Sequence, residues 1–252
     1  MSGVLRGKVA IVTGAAGGFG EGIARLFVAE GAKVLIADLD GDKAQTVAAS
    51  LGAASARAVR CDVSKRADID AAVQACVDAF GAPDIVVNNA GTTHRNQPML
   101  DVDEATFDRV FAVNVKSIYY MTQAVLPLMR ERKAGAIVNI GSTAGIRPRP
   151  GLAWYNASKG AVNVLSKSMA AELGPDNIRV NAVCPVMGAT GLIEQFLGTA
   201  DTPEARARIV AGIPLGRMST PEDVAQATLY LVSDAACFIT GVELPVDGGR
   251  TI

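Results

Sequence analysis

Residues 9–20 read VAIVTGAAGGFG, a continuously apolar run that ends in a glycine-rich turn. A strand that is apolar on both faces is typical of a parallel sheet covered by helices on each side. Gly14, Gly18 and Gly20 follow it, and a helical pattern begins close to the second of these glycines. Small residues let the backbone approach a bound group, and the free N–H groups at a helix N-terminus attract phosphate. The segment therefore predicts strand, turn and helix around a pyrophosphate, the alternative being a tight turn that needs glycine only for its own geometry.

An acidic residue closes the second apolar run. The glycine spacing before it is Gly-x-x-x-Gly-x-Gly, which differs from G-x-G-x-x-G, and no Gly-Lys-Ser/Thr follows as it would in a P-loop. Asp38 can accept hydrogen bonds from adenosine ribose hydroxyls, and its charge repels a 2′-phosphate. The places where a basic residue would favour NADP hold Ala15, Ala16, Leu39 and Asp40. The pattern predicts NAD rather than NADP, with a solvated acid at a strand end as the alternative.

Strand and helix patterns alternate along the rest of the chain. Runs rich in Val and Ile, each bounded by turn residues, lie at 9–14, 33–38, 56–63, 84–91, 136–142, 178–185 and 241–249. Helical patterns lie at 18–30, 41–51, 66–80, 103–132, 153–173 and 221–233. This alternation predicts an α/β fold, a doubly wound, Rossmann-like parallel sheet of about seven strands with helices on both faces. We expect one domain over residues 1–252.

The segment 186–220 interrupts the alternation. It mixes several glycines with apolar residues such as Phe196 and Ile209. This composition predicts a mobile flap with an apolar underside over the substrate site. An ordered excursion with no gating role is the alternative.

Composition narrows the class of protein. Half of the 252 residues are hydrophobic and the formal net charge is −1, so a large core is expected and neither nucleic acid nor a membrane surface is a predicted partner. No apolar run is long enough for a membrane span. The cysteines, Cys61, Cys76, Cys184 and Cys237, form no C-x-x-C pair and are interpreted as reduced core residues of a cytoplasmic protein. The one histidine, His94, is interpreted as a loop residue, and no metal site is predicted.

The segment GLAWYNASKGAVNVL at 151–165 places Lys159 four residues after Tyr155. On a helix this spacing puts both side chains on one face. An unperturbed tyrosine has a pKa of about 10, and a fixed cation nearby lowers it, which would let Tyr155 exchange a proton with an alcohol or ketone. Ser142 follows the run AIVNI, where its hydroxyl is expected to hold the substrate oxygen. The alternatives are a serine that caps a turn and a tyrosine that only packs.

Several motifs along the whole chain together resemble the short-chain dehydrogenase/reductase family, in its single-domain branch. They are TGAAGGFG, Asp38, CDV at 61–63, NNAG at 88–91, Asn114 in AVNV, Ser142, Tyr155 with Lys159, RVNAVCP and ITGVELPVDGG. The resemblance implies that Tyr155 is the general acid/base and that Ser142 orients the substrate oxygen. It also implies that Lys159 lowers the pKa of Tyr155 and holds the nicotinamide ribose, and that Asn114 keeps a water in a proton path.

The resemblance further implies a cofactor site and an assembly. Asp62 and Val63 would contact adenine, and Asn89 would border the cofactor. The cofactor-binding residues are then expected to be Gly14, Gly18, Phe19, Gly20, Asp38, Leu39, Asp62, Val63, Asn89, Ala90, Gly91, Tyr155, Lys159, Pro185 and Thr190. The family implies a homotetramer, built partly by the helices that carry Asn114 and Tyr155.

The chain departs from the family pattern after the sixth strand. The family commonly has Pro-Gly-x-x-x-Thr there, and this chain reads PVMGAT at 185–190. Thr190 would still bond the nicotinamide amide, whereas Val186 and Met187 are expected to narrow the site.

The predicted activity is hydride transfer between NAD(H) and a small secondary alcohol or ketone, with Tyr155 moving the proton. The alternatives are a 3-oxoacyl thioester reductase with RERK at 130–133 as its landing patch, a sugar dehydrogenase using NADP(H), and a nucleotide sensor without turnover. An epimerase of sugar nucleotides is disfavoured because it usually needs a longer C-terminal domain. Candidate pocket residues are Thr92–Gln97, Thr143, Arg147, Arg149, Trp154, Met187 and Leu192. Arg147 and Arg149 would meet an anionic substrate or lie in a solvated loop.

Overall fold

Seven parallel strands form one sheet in the order β3-β2-β1-β4-β5-β6-β7. The structure is a computed structural model that describes residues 3–188, 191 and 193–252. The strands are β1 (Val9–Thr13), β2 (Lys33–Asp38), β3 (Ala56–Arg60), β4 (Ile85–Asn88), β5 (Gly135–Ile140), β6 (Ile178–Pro185) and β7 (Glu243–Val246). The predicted parallel, doubly wound sheet is confirmed.

Nine α-helices lie within the described residues. They are α1 (Gly18–Ala29), α2 (Gly41–Leu51), α3 (Arg66–Phe80), α4 (Glu104–Phe111), α5 (Ser117–Arg132), α6 (Ala153–Leu173), α7 (Ile193–Leu197), α8 (Pro203–Val210) and α9 (Pro221–Val232). The start of α9 shows why these boundaries follow from sequence. The Thr220 hydroxyl accepts from the Asp223 amide, the Asp223 carboxylate accepts from the Thr220 amide, and Pro221 occupies the first turn.

The central strands β1, β4, β5 and β6 bury both of their faces, whereas the edge strands β3 and β7 are partly exposed. In β1, Ala10 and Val12 belong to one hydrophobic cluster and Val9 and Ile11 to another. The first cluster includes buried residues of α1, α2 and α9, and the second includes those of α3, α5 and α6. The apolar runs of the central strands are continuous because each of their faces packs against one of two helical layers.

The strand order places a cleft at the carboxyl edge of the sheet. From β1 the chain proceeds outward through β2 and β3, and then returns to the other side of β1 with β4. Open α/β sheets bind their ligands outside the carboxyl ends of the strands at such a reversal. The loop after β1 and the loop after β4 therefore meet where a ligand is expected.

The helix predicted over 103–132 is interrupted. A π-helical turn, Ala112–Lys116, separates α4 from α5. Such turns insert a residue into an α-helix and are frequent at functional sites. Its inward residue is Asn114, which is buried.

Two other predicted elements also differ from the structure. The strand predicted over 84–91 ends at Asn88, since the Asn89 amide donates to the Thr13 hydroxyl at 3.1 Å instead of extending the ladder. The segment 186–220 carries two short helices, α7 and α8.

Candidate active site

The loop after β1 packs so closely that it accepts only glycine at two places. Gly14 has a φ of +62°, and a Cβ there would lie 2.8 Å from the Cα of Ala90. A Cβ on Gly20 would lie 2.2 Å from the carbonyl oxygen of Gly14. The Asn89 side chain holds the loop from the other side, donating to the carbonyls of Thr13 at 2.9 Å and Gly14 at 2.8 Å. The result is a backbone cradle at the N-terminus of α1, which fits a pyrophosphate.

Two carboxylates lie beyond the ends of β2 and β3. Asp38 accepts from the amides of Ala16 at 2.9 Å and Asp40 at 3.0 Å, which ties it to the glycine loop. Asp62 accepts from the hydroxyl of Ser64 at 2.6 Å, and this hydrogen bond lowers the pKa of Asp62. Asp38 and Asp62 line the same cavity. Oxygens that keep lone pairs beside a pyrophosphate cradle suit the hydroxyls and amino group of an adenosine.

The proton-handling groups lie farther along the same cavity. Its volume is about 1120 Å³, and Ser142, Tyr155 and Lys159 line it together with the glycine loop. Ser142 follows β5, and its Oγ accepts from the Ala144 amide at 3.0 Å. Tyr155 and Lys159 project from the first turns of α6 and are 7% and 5% exposed. The structure therefore brings together the three residues whose proximity the sequence predicts.

Lys159 and Asn114 are held by the protein itself. The Lys159 Nζ donates to the carbonyl of Ile140 at 2.7 Å. The Asn114 amide nitrogen donates to the carbonyl of Thr92 and to the Ser158 hydroxyl, both at 2.9 Å, while its Oδ1 accepts from the Thr92 amide at 2.8 Å. A Cβ on Gly91 would lie 3.5 Å from both Asn114 Oδ1 and Lys159 Nζ. Asn114 thus links the loop after β4 to α6 at the level of the lysine.

The pKa values correct one expectation. Burial raises the pKa of Tyr155 to about 12, opposed by a hydrogen bond with Ser142 and by the positive charge of Arg149. Burial lowers the pKa of Lys159 to about 8. Lys159 was expected to lower the pKa of Tyr155, but desolvation outweighs it here, and the cation that opposes the rise is Arg149. At neutral pH this arrangement keeps Tyr155 protonated.

Most of the expected cofactor residues line the cavity. Those on its wall are Gly14, Gly18, Phe19, Asp38, Leu39, Asp62, Val63, Asn89, Ala90, Gly91, Tyr155, Lys159 and Pro185. Gly20 lies beneath the wall, where it lets α1 approach the loop. Asn114 lies behind the wall as well, and Thr190 is outside the described residues.

The expected substrate pocket is partly different. Thr92, Thr143, Arg147, Arg149 and Met187 line the cavity, whereas Trp154 and residues 93–97 do not. The Trp154 indole donates instead to the carbonyl of Met99 at 3.2 Å. The amide of Asn96 donates to the carbonyl of Gln195 at 2.8 Å, so this loop fixes α7. Leu192 is outside the described residues.

Val186 fits without distortion where the family commonly has glycine. Its amide donates to the carbonyl of Val246 at 3.1 Å, and its carbonyl accepts from the Ser219 hydroxyl at 3.0 Å. Its φ is not in the left-handed region. Its side chain is buried and forms part of the cavity wall beside Met187.

Sequence reasoning missed three arginines on the cavity wall, Arg109 of α4, Arg208 of α8 and Arg250 after β7. A signal existed for Arg250, because residues that follow a parallel strand lie at the same sheet edge as those after its neighbours. Arg147, expected to meet an anionic substrate or to lie in a solvated loop, is bonded to the protein backbone. Its guanidinium donates to the carbonyls of Arg250 at 2.9 Å and Ile252 at 3.3 Å, which holds the C-terminal segment.

The remaining polar residues bear on other expectations. Cys61, Cys76 and Cys184 are buried free thiols, but Cys237 is exposed after α9, so its placement in the core was wrong. His94 does lie in a loop, although it is buried. Across residues 3–188, 191 and 193–252, no cluster of three or more His, Cys, Asp or Glu side chains is arranged for a metal ion. No helix in the same part of the chain is long and apolar enough to cross a membrane.

Comparisons with known proteins agree with this geometry. The profile of a family described as Enoyl-(Acyl carrier protein) reductase matches residues 14–251. The 4-formylbenzenesulfonate dehydrogenase of Comamonas testosteroni is 51% identical over 250 residues, which cover 98% of this chain and 99% of that protein. The 2-(S)-hydroxypropyl-CoM dehydrogenase 3 of Xanthobacter autotrophicus is 43% identical over 254 residues, covering 100% of this chain and 99% of the relative.

A solved structure is similar over the same length. The 3-ketoacyl-(acyl-carrier-protein) reductase of Brucella melitensis, crystallised in complex with NADH, superposes with a TM-score of 0.93 at 46% identity. The alignment covers 98% of this chain and 100% of that one. That relative shares the fold of this chain, and its complex with NADH supports a nicotinamide cofactor.

Proposed function

This chain belongs to the short-chain dehydrogenase/reductase family of oxidoreductases, and from that premise we propose that it transfers hydride between NAD(H) and an alcohol/carbonyl pair. One observation carries the proposal. Tyr155, Ser142 and Lys159 line the same cavity as a backbone cradle that has room for a pyrophosphate. A proton donor beside a dinucleotide site is what carbonyl reduction requires.

Each side chain has a defined share in the reaction. Ser142 already accepts a hydrogen bond from Ala144, so its own O–H donates, to the Tyr155 oxygen in the free protein and to the substrate oxygen when a substrate is bound. Tyr155, kept protonated by burial, gives its proton to that oxygen during reduction and takes it back during oxidation. Lys159 uses one N–H on Ile140 and keeps the others for the nicotinamide ribose. When bound, the nicotinamide supplies or accepts the hydride and, when oxidised, adds a positive charge that favours the Tyr155 phenolate.

We propose NAD as the cofactor in preference to NADP. Asp38 lines the cavity at the end of β2, and its carboxylate is fixed by the glycine loop and by Asp40. A 2′-phosphate placed there would lie against a negative charge. Lys43, which also lines the cavity, is paired with Asp40 at 2.8 Å.

The second candidate is reduction of a 3-oxoacyl thioester. It is favoured by the similarity to the Brucella reductase and by a 38% identical 3-oxoacyl-[acyl-carrier-protein] reductase of Chlamydia trachomatis. The RERK segment gives it little support, since Arg130 and Arg132 already bond Asp176 and the carbonyls of Ala82 and Pro83. The more identical relative from Comamonas is named for an aldehyde, and we therefore place small aldehydes and ketones first.

The decisive experiment is Tyr155→Phe. This variant removes the proton donor while it keeps the ring that contacts Phe196 edge-on at 5.0 Å. We expect NADH-dependent reduction of aldehydes, ketones and 3-oxoacyl thioesters to fall to background, because general acid catalysis is lost. The measurement is NADH absorbance with each substrate, paired with NADH binding by fluorescence, which should change little.

The matched control is Tyr230→Phe, which removes the same hydroxyl from an exposed position on α9. It should keep full activity. Turnover that survives in Tyr155→Phe would remove Tyr155 from the mechanism.

We also propose a homotetramer of single-domain subunits. Tyr119 on α5 and Val164 on α6 are 55% and 63% exposed, and these are helices that the family uses for assembly. Light scattering on the purified protein tests the subunit number. Within each subunit, residues 186–220 would form the flap, since Phe196, Leu197 and Ile209 line the cavity from that segment.

A further inference from the structure

The carboxylates on the cavity wall lie together, and three arginines of the wall lie apart from them. Lys43, which pairs with Asp40, lies with the carboxylates, and Arg109 of α4 also lines the cavity. The carboxylates are Asp38, Asp40 and Asp62, all at the carboxyl ends of β2 and β3 near one edge of the sheet; we call this the acidic end. Arg149, Arg208 and Arg250 lie beyond β5, on α8 and beyond β7, toward the other edge; we call this the basic end. No Asp or Glu among the described lining residues belongs to the basic end.

The arginines of the basic end lack acidic partners. Arg149 is partly buried, and within the described part of the chain its guanidinium makes no hydrogen bond and no salt bridge. The Arg250 guanidinium has none there either, since Asp247 accepts from the amides of Gly249 and Thr251 and from the Thr251 hydroxyl. Partly buried cations are normally paired, because desolvating a charge is costly.

The charge of Arg250 affects Arg149, and the charge of Arg149 affects Tyr155. Burial and the like charge of Arg250 both lower the pKa of Arg149. The charge of Arg149 in turn lowers the pKa of Tyr155. Two cations without acidic partners on the wall of the cavity that Tyr155 also lines form a site that a bound anion would stabilise.

Apolar side chains line the cavity alongside these charges. Val186, Met187, Phe196 and Ile209 line it, and the Phe196 ring contacts the Tyr155 ring. A ligand that fills this space needs an apolar body between its reacting oxygen and its charged group.

We propose that Arg149 and Arg250 form an oxyanion-recognition site, and that the substrate is an aldehyde, ketone or alcohol with an apolar body and a carboxylate, sulfonate or phosphate group. This inference rests on the proposed oxidoreductase function and names its substrate class. Arg208, whose Nε makes only a 3.4 Å contact with the carbonyl of Glu204, is available as a third donor. Arginine suits the task because its planar donors match an oxyanion in pairs.

The test compares substrates that differ only in charge. Reduction of 4-formylbenzoate, 4-formylbenzenesulfonate and 4-formylphenyl phosphate is measured against neutral 4-formylbenzamide with NADH. In the parent protein we expect kcat/KM to be higher for at least one anionic aldehyde than for the amide. The ratio of the two kcat/KM values, anion over amide, should fall roughly 10- to 100-fold in Arg149→Met, because charge-assisted hydrogen bonds to the anion are lost. Arg149→Lys should restore part of the ratio. The ratio is informative because an altered Tyr155 pKa affects charged and neutral aldehydes alike.

The control variant is Arg206→Met. Arg206 lies on α8 like Arg208, but its Nε donates to Asp201 at 2.7 Å and it does not line the cavity. The ratio of kcat/KM for anionic over neutral aldehydes in Arg206→Met should equal that of the parent protein. A parent protein that prefers the amide, or an Arg149→Met variant with an unchanged ratio, overturns the proposal. So does a rise in the NADH Kd of Arg149→Met with no change in ratio, because the arginine would then serve the cofactor.

A binding measurement separates this proposal from the proposed function. Benzoate, benzenesulfonate and phenyl phosphate are titrated calorimetrically into the parent protein and into Arg149→Met, each with NADH present. Binding that Arg149→Met weakens supports the oxyanion site even if no aldehyde is reduced, in which case only the proposed reaction fails. If aldehydes are reduced but no oxyanion binds through Arg149, the reaction stands and the oxyanion site is overturned.

Discussion

At the acidic end of the cleft, the carboxylate of Asp38 accepts two backbone hydrogen bonds, whereas at the basic end the guanidinium of Arg149 has no partner in the described part of the chain. Both ends carry charge on the wall of one cavity. The acidic end is completed by the protein's own backbone, which makes it rigid before any ligand arrives. At the basic end the Arg149 guanidinium lacks an anionic partner, so the favourable free energy of pairing this charge is gained only when an anion binds. The preformed acidic end suits a cofactor that is the same in every reaction cycle. The unpaired basic end suits a substrate that is recognised by its charge.

The largest effect should come from breaking the tightly packed glycine loop to which Asp38 is bonded. In Gly20→Ala the new methyl group would lie 2.2 Å from the Gly14 carbonyl oxygen and 2.4 Å from the Asn89 amide nitrogen. We expect a loss of more than about 3 kcal/mol in the free energy of unfolding, because neither group can move without displacing the loop. Chemical denaturation measures it.

Gly17→Ala is the matched control for that substitution. A Cβ at Gly17 meets nothing within 4 Å, and its φ of −176° is extended backbone that alanine adopts. Its unfolding free energy should stay close to that of the parent protein. Equal losses in the two variants would show that close packing is not the reason for glycine here.

The second prediction concerns Lys159, the buried cation between the two ends. Its pKa is lowered from 10.5 to about 8, so the unfolded chain binds this proton more tightly and the charge destabilises the fold at pH 7. The penalty fades as pH rises toward 10.5. The stability of Lys159→Met relative to the parent should therefore be highest near pH 7 and decline by on the order of 3 kcal/mol by pH 10.5.

Denaturation curves across this pH range check the prediction. Lys167→Met is the control, since Lys167 is exposed on the same helix and paired with Glu243 at 2.7 Å. Its stability relative to the parent should not follow the pH course of the Lys159 variant. A flat difference for Lys159→Met would contradict the burial argument.

The third prediction sharpens the role of the acidic end. Asp38→Asn keeps the shape and one acceptor oxygen but removes the negative charge. We expect the preference for NAD over NADP, measured as a ratio of kcat/KM values, to narrow about tenfold, which corresponds to about 1.4 kcal/mol. Asp70→Asn makes the same charge change on α3, where Asp70 pairs with Arg66 outside the cavity, and should leave the ratio alone. An unchanged ratio in Asp38→Asn would count against the ribose contact.

The smallest effect is expected at the basic end, and it has the opposite sign. Arg149→Met removes a partly buried charge without an acidic partner in the described chain, so the fold should lose nothing and gain up to about 1 kcal/mol. Denaturation in the absence of substrate measures it. A clear loss of stability would mean that Arg149 is paired inside the protein, and the contrast between the two ends would disappear.

Local pattern was enough to predict the fold, and it picked out Ser142, Tyr155 and Lys159, which line one cavity. The run VAIVTGAAGGFG predicted β1, its turn and α1, because period and glycine placement are local properties. The spacing of Tyr155 and Lys159 predicted a shared helix face, since four residues nearly complete one turn. The uninterrupted helix predicted over 103–132 was wrong. A π turn at Asn114 interrupts it, and the spacing of apolar residues in that segment does not indicate an inserted residue.

The sequence by itself determined the order of strands and helices along the chain. It also predicts which groups move the proton and which acid would favour NAD. Only the tertiary structure decided the direction of the Tyr155 pKa, since burial is a property of the packed molecule. It also decided that, of two arginines that line the cavity, Arg147 is bonded to the C-terminal segment while the Arg149 guanidinium has no partner in the described part of the chain. These two arginines are separated in sequence by Pro148 alone, and whether a charge is satisfied depends on partners about a hundred residues away, which no local pattern encodes.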